Sequence, residues 1–209
     1  MSRFLDQVQE RVLVSDGAMG TMLYAHGVFI NRSFDEMNLS QPAAVREIHL
    51  AYAHAGAEIL ETNTFGANRV VLEKYGLREK LEAINRAGVE LARACSNEGG
   101  FVAGAIGPLG VYLEPLGKIG FAEARAAFRE QAQVLTAAGA DLLLLETFGQ
   151  LNELREAIHG AREAGSLPLV AQITIDDEGR ALDGTPAAEA ALRLEEWGAD
   201  VIGINCSGG

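Results

Sequence analysis

Short apolar segments recur along the chain and alternate with longer segments of helical periodicity. The apolar segments lie at residues 11–15, 57–61, 101–106, 141–146, 167–173 and 200–205. Segments that are apolar at nearly every position are typical of strands buried on both faces, as in a parallel sheet. The pattern therefore predicts six parallel strands.

The intervening segments predict helices at residues 42–55, 78–95, 121–138, 151–164 and 186–197. Several of them are followed by a glycine, as expected where a helix ends in a left-handed residue. Alternating strands and helices imply β-α-β units with right-handed crossovers. A doubly wound open sheet and a (β/α)8 barrel both satisfy this pattern, although a barrel usually takes about 250 residues.

One long segment, residues 21–41, shows neither pattern. We expect it to be an extended loop after the first strand, with a turn at residues 31–33. Loops of this length often line active sites, so this loop is predicted to lie beside the site.

Composition and charge narrow the classes of function. The chain has 209 residues, of which 48% are hydrophobic, and a formal net charge of −12. An acidic chain has nothing to attract a phosphate backbone or an anionic lipid surface, so we expect no nucleic-acid partner and no membrane partner. No apolar stretch approaches the roughly 18 residues that span a bilayer. The two cysteines, Cys95 and Cys206, argue against a disulfide scaffold and fit a cytoplasmic protein.

Polar residues and glycines directly follow the predicted strands, on the side where α/β enzymes place their chemistry. The candidate site residues are Asp16, Gly17, Ala18, Met19, Thr62, Asn63, Phe65, Glu146, Asn205 and Cys206. Structural alternatives stand beside them. Asp16 and Gly17 also suit a tight turn, Glu146 suits a buried ion pair, and Cys206 alone suits a small buried hydrophobe.

Several other chemistries lack support in the sequence. No lysine follows a predicted strand, which argues against a Schiff-base aldolase. The four histidines form no His-Glu-x-x-His motif and are expected at the surface or in loops, and Cys95 is expected to pack inside a helix layer. Neither a G-x-G-x-x-G loop after the first strand nor a Walker loop is present, so nucleotide binding is not predicted.

Taken together, the segments at strand ends resemble one family. They read Ser-Asp-Gly-Ala-Met-Gly-Thr at 15–21, Glu-Thr-Asn-Thr-Phe-Gly-Ala-Asn at 61–68, Gly-Pro-Leu-Gly at 107–110, Leu-Leu-Glu-Thr-Phe at 144–148 and Gly-Ile-Asn-Cys-Ser at 203–207. In this order they resemble homocysteine S-methyltransferases, which include the homocysteine-binding domains of methionine synthases and of fusions with methylenetetrahydrofolate reductase. The resemblance covers the whole chain.

The resemblance implies an α/β fold of the (β/α)8 TIM-barrel family, of which this chain holds only about six β/α units. Residues 1–209 are then one homocysteine-binding barrel domain that is incomplete at its C-terminus. In this family a zinc ion is held by three cysteines and activates the homocysteine thiol, which attacks a donor methyl group to give methionine. Cys206 matches the first zinc ligand, and the later cysteine pair has no counterpart here.

The resemblance also implies roles for the other candidates. The backbone at Gly17, Ala18 and Met19 would bind the carboxylate of homocysteine. Its amino group would contact Asp16 and Glu146. The pocket would be lined by Thr62, Asn63, Phe65 and Asn205.

Alternatives to this function stay open on the sequence alone. The chain is a working methyltransferase domain, a non-catalytic fragment with an incomplete zinc site, or a barrel enzyme that uses Asp16 and Glu146 as an acid-base pair. The methyl donor is not specified, and methylcobalamin or folate would come from other domains. Open sheet edges in a six-strand barrel would favour oligomers.

Overall fold

A sheet of five parallel strands forms the centre of the computed structural model, which describes residues 2–28 and 32–207. The strands are β1 (Ile59–Glu61), β2 (Phe101–Ile106), β3 (Leu142–Phe148), β4 (Leu169–Ile173) and β5 (Val201–Ile204). They stand side by side in chain order, with β1 pairing β2 and so on to β5. Because neighbouring strands are parallel and consecutive, every connection between them is a crossover.

Helices supply these crossovers and the chain's first segment. Within the described residues they are α1 (Arg3–Glu10), α2 (Met19–Ala25), α3 (Met37–Ser40), α4 (Pro42–His54), α5 (Arg69–Glu73), α6 (Leu81–Cys95), α7 (Phe121–Ala138), α8 (Leu151–Ala164) and α9 (Ala187–Glu196). A short 3-10 turn, Arg78–Lys80, precedes α6, so the predicted helix at 78–95 begins in a tighter geometry than expected. The other predicted helices are present to within one residue.

The outer face of the sheet is covered by α4 and α6 to α9. A single apolar cluster joins this face to the helices, with Val102, Leu143 and Leu169 from the strands and Phe128 and Ile158 from the helices. Cys95 is buried in the same cluster, which confirms its predicted packing role. Burying one such side chain contributes on the order of 1.5–3 kcal/mol, so this layer dominates stability.

The inner face of the sheet has a separate apolar cluster and is covered by α1. The Phe4 ring meets the Phe101 ring edge-on at 5.4 Å between centroids, and the Arg3 guanidinium lies 4.2 Å from the centroid of the Phe101 ring. Between α1 and the strands lies a cavity of about 470 Å³, which Glu61 and Gln172 also line. Consecutive parallel strands with the crossover helices α4 and α6 to α9 on one face are the architecture of a partial (β/α)8 barrel, which confirms the predicted fold and argues against a doubly wound sheet.

The first predicted strand, at 11–15, is wrong. Only Ser15 forms a parallel bridge, to Ile59, and Val12 and Val14 are 87% and 56% exposed. The Glu58 carboxylate accepts from the Val14 N–H (3.2 Å), so this N–H is not paired with β1. The Val14 carbonyl accepts from the Ile59 N–H and the Asp16 N–H donates to the Ile59 carbonyl, but the pairing stops at this single bridge, and the five-stranded sheet begins at β1.

The segment 21–41 is not one long loop, because it contains most of α2 and the whole of α3. Leu23 and Met37 from these helices are fully buried against Val45 and Ile48 of α4. The expected turn at residues 31–33 includes Asn31, which lies outside the described residues. The helices α2 and α3 are thus stabilised by apolar packing on α4. They are too short for a helical pattern to be recognised in the sequence.

The glycines that follow helices and the burial of His49 bear on further predictions from the sequence. Gly56, Gly139 and Gly198 follow helices with φ values of +104°, +98° and +100°, as predicted for left-handed helix ends, whereas Gly165 after α8 is extended and was predicted wrongly. His49, expected at the surface, is instead fully buried on α4. No helix among the described residues combines the length and apolar character that crossing a bilayer requires.

Candidate functional site

Three carboxyl groups lie at the C-terminal edge of the sheet. Glu61 is the last residue of β1, Glu146 is near the end of β3, and Asp16 follows the short bridge beside β1. The carboxyl ends of parallel strands meet at one rim of a barrel. Glu61 and Glu146 therefore lie near enough to Asp16 for their charges to affect its pKa, although they are distant from it in the sequence. The rim is therefore strongly acidic.

Asp16 is held by the backbone of β1. Both of its carboxylate oxygens accept from the Glu61 N–H at 3.1 Å. Burial, together with the charges of Glu61 and Glu146, raises the pKa of Asp16 to about 8. These raising effects outweigh the bond from the Glu61 N–H, which favours the ionised form.

Glu146 and Glu61 have perturbed acidity for the same reasons. Burial raises the pKa of Glu146 to about 8, with the Glu61 charge as a second cause. Burial also raises the pKa of Glu61, while a hydrogen bond donated by the Ser15 hydroxyl to Glu61 Oε1 (3.1 Å) opposes the shift. Each charge at this rim opposes ionisation of the others, so a cation placed here would favour their ionised forms.

Beside Asp16, the chain turns into α2 with exposed backbone amides. Among the described residues, no acceptor is bound by the N–H groups of Gly17, Ala18 and Met19. The Ala18 carbonyl accepts from the Tyr52 hydroxyl (3.3 Å), which ties the turn to α4. A Cβ at Gly17 would stand 2.9 Å from the Tyr52 hydroxyl oxygen, so glycine is required for this close approach.

Thr62 and Asn63 are buried, and their polar atoms bind the protein itself. The Thr62 hydroxyl accepts from the Ala105 N–H (3.0 Å) and pairs with Thr64 Oγ1 (2.6 Å). The Asn63 amide donates to the Phe34 carbonyl (2.8 Å) and to Asn38 Oδ1 (3.0 Å). These bonds fix the loop after β1, and the role of Thr62 and Asn63 as pocket residues stays a prediction.

Phe65 follows in the same loop and is 40% exposed. Its carbonyl accepts from the Gly107 N–H (2.8 Å), and its ring lies where a Cβ at residue 107 would be. The glycine therefore allows the loop after β2 to lie against the Phe65 ring. This places an exposed aromatic ring above the rim, although its contact with a ligand stays a prediction.

Asn205 and Cys206 follow β5 and join the same rim. Asn205 Nδ2 donates to Thr147 Oγ1 (2.9 Å) and reaches Glu146 Oε2 at 3.3 Å. Cys206 is exposed, and its Sγ accepts from the Thr147 hydroxyl at 3.5 Å and from Asn205 Nδ2 at 3.7 Å. The structure thus brings Asn205 and Cys206 to the acidic rim.

A metal at Cys206 can be tested against its neighbours. The side chains within hydrogen-bonding reach of its sulfur are those of Thr147 and Asn205, which are neutral and poor ligands for zinc. Within residues 2–28 and 32–207 no three His, Cys, Asp or Glu side chains are grouped as a metal site. One thiolate does not fit a zinc site by itself, and the prediction of Cys206 as a ligand stays untested.

Two further members of this rim, Glu61 and Thr147, were not among the predicted site residues. Glu61 ends a predicted apolar strand just as Glu146 does, and this shared position was the signal that could have identified it. Thr147 lies in the strand-end segment 144–148, but its contribution depends on a backbone φ of +62°, which the sequence does not reveal.

Comparisons with known proteins identify relatives of the chain. The family model described as homocysteine S-methyltransferase matches residues 13–208. Methionine synthase from Mycobacterium tuberculosis is 34% identical over 222 residues, covering 98% of this chain and 18% of that protein. Betaine–homocysteine S-methyltransferase 1 from Xenopus laevis is 32% identical over 201 residues, covering 93% of this chain and 49% of that protein. The chain thus spans half or less of the length of these curated relatives.

A solved structure is similar over nearly the whole chain. The metallated form of the homocysteine methyltransferase MmuM from Escherichia coli matches with a TM-score of 0.83 and 26% identity, covering 96% of this chain and 77% of that one. This partial barrel carries partly buried acids and an exposed cysteine at its strand ends, where (β/α)8-barrel enzymes place their active sites. The extent of the family match identifies it further: the chain belongs to the homocysteine S-methyltransferase family.

Proposed function

We propose that this chain binds homocysteine at the acidic rim and serves as the methyl-acceptor domain of a methyltransferase that forms methionine. One observation carries the proposal. Asp16, Glu61 and Glu146 are each partly buried at this rim, and no cation among the described residues contributes to their acidity. Partly desolvated carboxylates without a cation are costly, and the ammonium group of an amino acid would supply the missing charge.

The amino-acid end of homocysteine would be recognised from two sides. Asp16 and Glu146 bind its ammonium group. The backbone N–H groups of Gly17, Ala18 and Met19 bind its carboxylate, which is supported by their lack of acceptors among the described residues. Charge-assisted bonds of this kind are about twice as strong as neutral ones.

The remaining candidates would surround the side chain of the substrate. In this proposal Thr62 and Asn63 shape the pocket through the backbone they hold, Phe65 closes it, and Asn205 lies beside the ammonium site. In the reaction, the homocysteine sulfur loses its proton and forms a bond to the donor methyl carbon. The bond from that carbon to the donor breaks, and its electron pair leaves with the donor.

Cys206 is proposed to lie beside the homocysteine sulfur and to be a zinc ligand. A zinc site needs about four ligands, so further sulfur or nitrogen ligands would have to come from outside the described residues. None of the substrate contacts proposed above depends on the metal.

Wider assignments follow from the same proposal. The chain is one barrel domain over 1–209, and its methyl donor, such as methylcobalamin, folate or a betaine, would be bound elsewhere. A cytoplasmic location fits its two free cysteines. Association through β5, whose Ile202 and Ile204 are exposed at the sheet edge, would cover that edge.

Isothermal titration with L-homocysteine under reducing conditions tests the proposal. We expect saturable binding to the 209-residue chain and a loss of at least about tenfold in affinity for Asp16→Asn, since one charge-assisted bond contributes about 1.5–3 kcal/mol. Glu98→Gln is the matched control, because Glu98 is exposed in the turn before β2. Equal affinity of Asp16→Asn and the wild type would contradict the proposed site, and so would the absence of binding.

A further inference from the structure

Thr147 has a backbone conformation that its residue type disfavours. Its φ is +62°, and Cys206, which it contacts, has a φ of +49°. Every other positive φ among the described residues belongs to a glycine. A β-branched residue with positive φ is a steric outlier, and such residues persist only where the surrounding structure holds them in place. The two outliers therefore mark one constrained point on the rim.

This conformation interrupts the pairing of β3 with β4. Leu145 pairs with Ala171, but Phe148 pairs with Ile173, so the register shifts across residues 146–147. An extended residue directs its N–H toward the neighbouring strand and its side chain away from the sheet plane. At Thr147 both groups instead reach one partner, a side chain that follows β5.

That partner is Asn205, and the contact is reciprocal. The Thr147 N–H donates to Asn205 Oδ1 (2.8 Å), and Asn205 Nδ2 donates to Thr147 Oγ1 (2.9 Å). Two bonds to the two ends of one amide fix both its position and its orientation. Since β4 lies between β3 and β5, this pair links the ends of two strands that are not neighbours.

The fixed amide and the Thr147 hydroxyl reach the two groups of the proposed chemistry. Asn205 Nδ2 lies 3.3 Å from Glu146 Oε2 and 3.7 Å from Cys206 Sγ. The Thr147 hydroxyl can donate to Glu146 Oε2 (3.4 Å) or to Cys206 Sγ (3.5 Å). One residue therefore stands between the carboxyl group and the thiol and contacts both.

We infer that Thr147 is a positioning residue of the homocysteine site, which holds the Asn205 amide and through it sets Glu146 relative to Cys206; this role rests on the proposed function. The Thr147 backbone N–H donates to the Asn205 amide oxygen, and the Thr147 hydroxyl oxygen accepts from the Asn205 amide nitrogen. Serine at this position keeps both groups, valine keeps only the N–H, and glycine keeps the N–H while permitting the positive φ. Three variants thus separate the hydroxyl from the backbone.

Homocysteine affinity is the first readout. We expect Thr147→Ser to bind within about threefold of the wild type, and Thr147→Val to bind about tenfold more weakly, equivalent to about 1.4 kcal/mol. Thr147→Gly should also bind about tenfold more weakly. Because glycine adopts a positive φ without strain, we expect its melting temperature not to fall below that of the wild type. If affinity instead follows thermal stability across the three variants, the residue is only structural and the inference is overturned.

A second readout needs no ligand. Hydrogen exchange of the Asn205 side-chain amide, assigned by NMR with the aid of Asn205→Asp, should be faster in Thr147→Val and Thr147→Gly than in the wild type and Thr147→Ser. Unchanged exchange in all variants would overturn the inference. If the wild type does not bind homocysteine, the proposed function fails, and this exchange measurement still decides whether Thr147 holds Asn205.

Discussion

Replacing Glu146 by glutamine should stabilise the fold at alkaline pH and weaken the binding of homocysteine. Glutamine has nearly the same shape but cannot ionise. In the wild type, burial and the Glu61 charge raise the pKa of Glu146 to about 8 from a usual value of 4.5. Ionising Glu146 in the folded state is therefore unfavourable, and the variant removes that cost together with the negative charge.

The magnitude follows from linkage between proton binding and folding. Because the folded pKa is raised, the group's contribution to stability is fully present below pH 4.5 and is lost as the pH rises through about 8. A shift of this size corresponds to at most about 5 kcal/mol at 1.36 kcal/mol per pKa unit. A buried glutamine amide also loses solvation, so we expect a net gain of about 1–3 kcal/mol at pH 8.5 and little gain at pH 5.

Urea unfolding at pH 5 and pH 8.5 measures this difference. The control is Glu98→Gln, which removes one exposed negative charge elsewhere and should change stability by less than about 0.5 kcal/mol at either pH. The same variants are titrated with homocysteine, for which Glu146→Gln should lose at least about tenfold in affinity. A free energy of unfolding for Glu146→Gln that differs from the wild type equally at both pH values would refute the reasoning.

Two further predictions concern buried groups away from the rim. His49 is fully buried with both ring nitrogens unpartnered among the described residues, and burial lowers its pKa to about 4. As the pH falls from 6.5 to 4, His49 binds a proton in the unfolded chain but not in the folded one, so the wild type loses stability. Over this range the free energy of unfolding of His49→Leu should rise by about 3 kcal/mol relative to that of the wild type. Urea unfolding measures this difference, with the exposed His54→Leu as control. Glu153 Oε1 accepts from the Leu109 N–H (2.7 Å), so Glu153→Ala should lower the free energy of unfolding at pH 6 by about 1–3 kcal/mol while Glu153→Gln should not; equal losses would contradict this.

Much of the fold could be predicted because its layers have a simple periodicity. The strands β2 to β4 are mostly apolar, since both of their faces are covered, and α7 and α8 carry regular apolar stripes and are followed by glycines. The predictions were wrong where the structure depends on a single side-chain contact or on packing against residues distant in the sequence. The Val14 N–H donates to the Glu58 carboxylate and not to the backbone of β1, and no apolar pattern in the sequence reveals this contact.

The candidate site was predictable in its outline and not in its detail. Asp16, Glu146, Asn205 and Cys206 could be grouped because each lies at or just after the end of a predicted strand, and strand ends meet at one rim. The hydrogen bonds of these side chains could not be predicted. Whether the Thr62 hydroxyl binds a ligand or the backbone depends on atoms of a neighbouring strand. The same holds for His49, whose burial comes from the packing of α4 and not from its own sequence pattern.

The relative affinity for L-homocysteine and for 4-sulfanylbutanoate, which is the same molecule without the amino group, tests the central claim most directly. If the acidic rim binds an ammonium group, the wild type should prefer homocysteine by at least about 30-fold at pH 7.5, equivalent to about 2 kcal/mol. The preference should shrink in Asp16→Asn and persist in Glu98→Gln. Affinities for the two compounds that agree within about threefold would contradict the account, because the buried carboxyl groups would then have no part in binding.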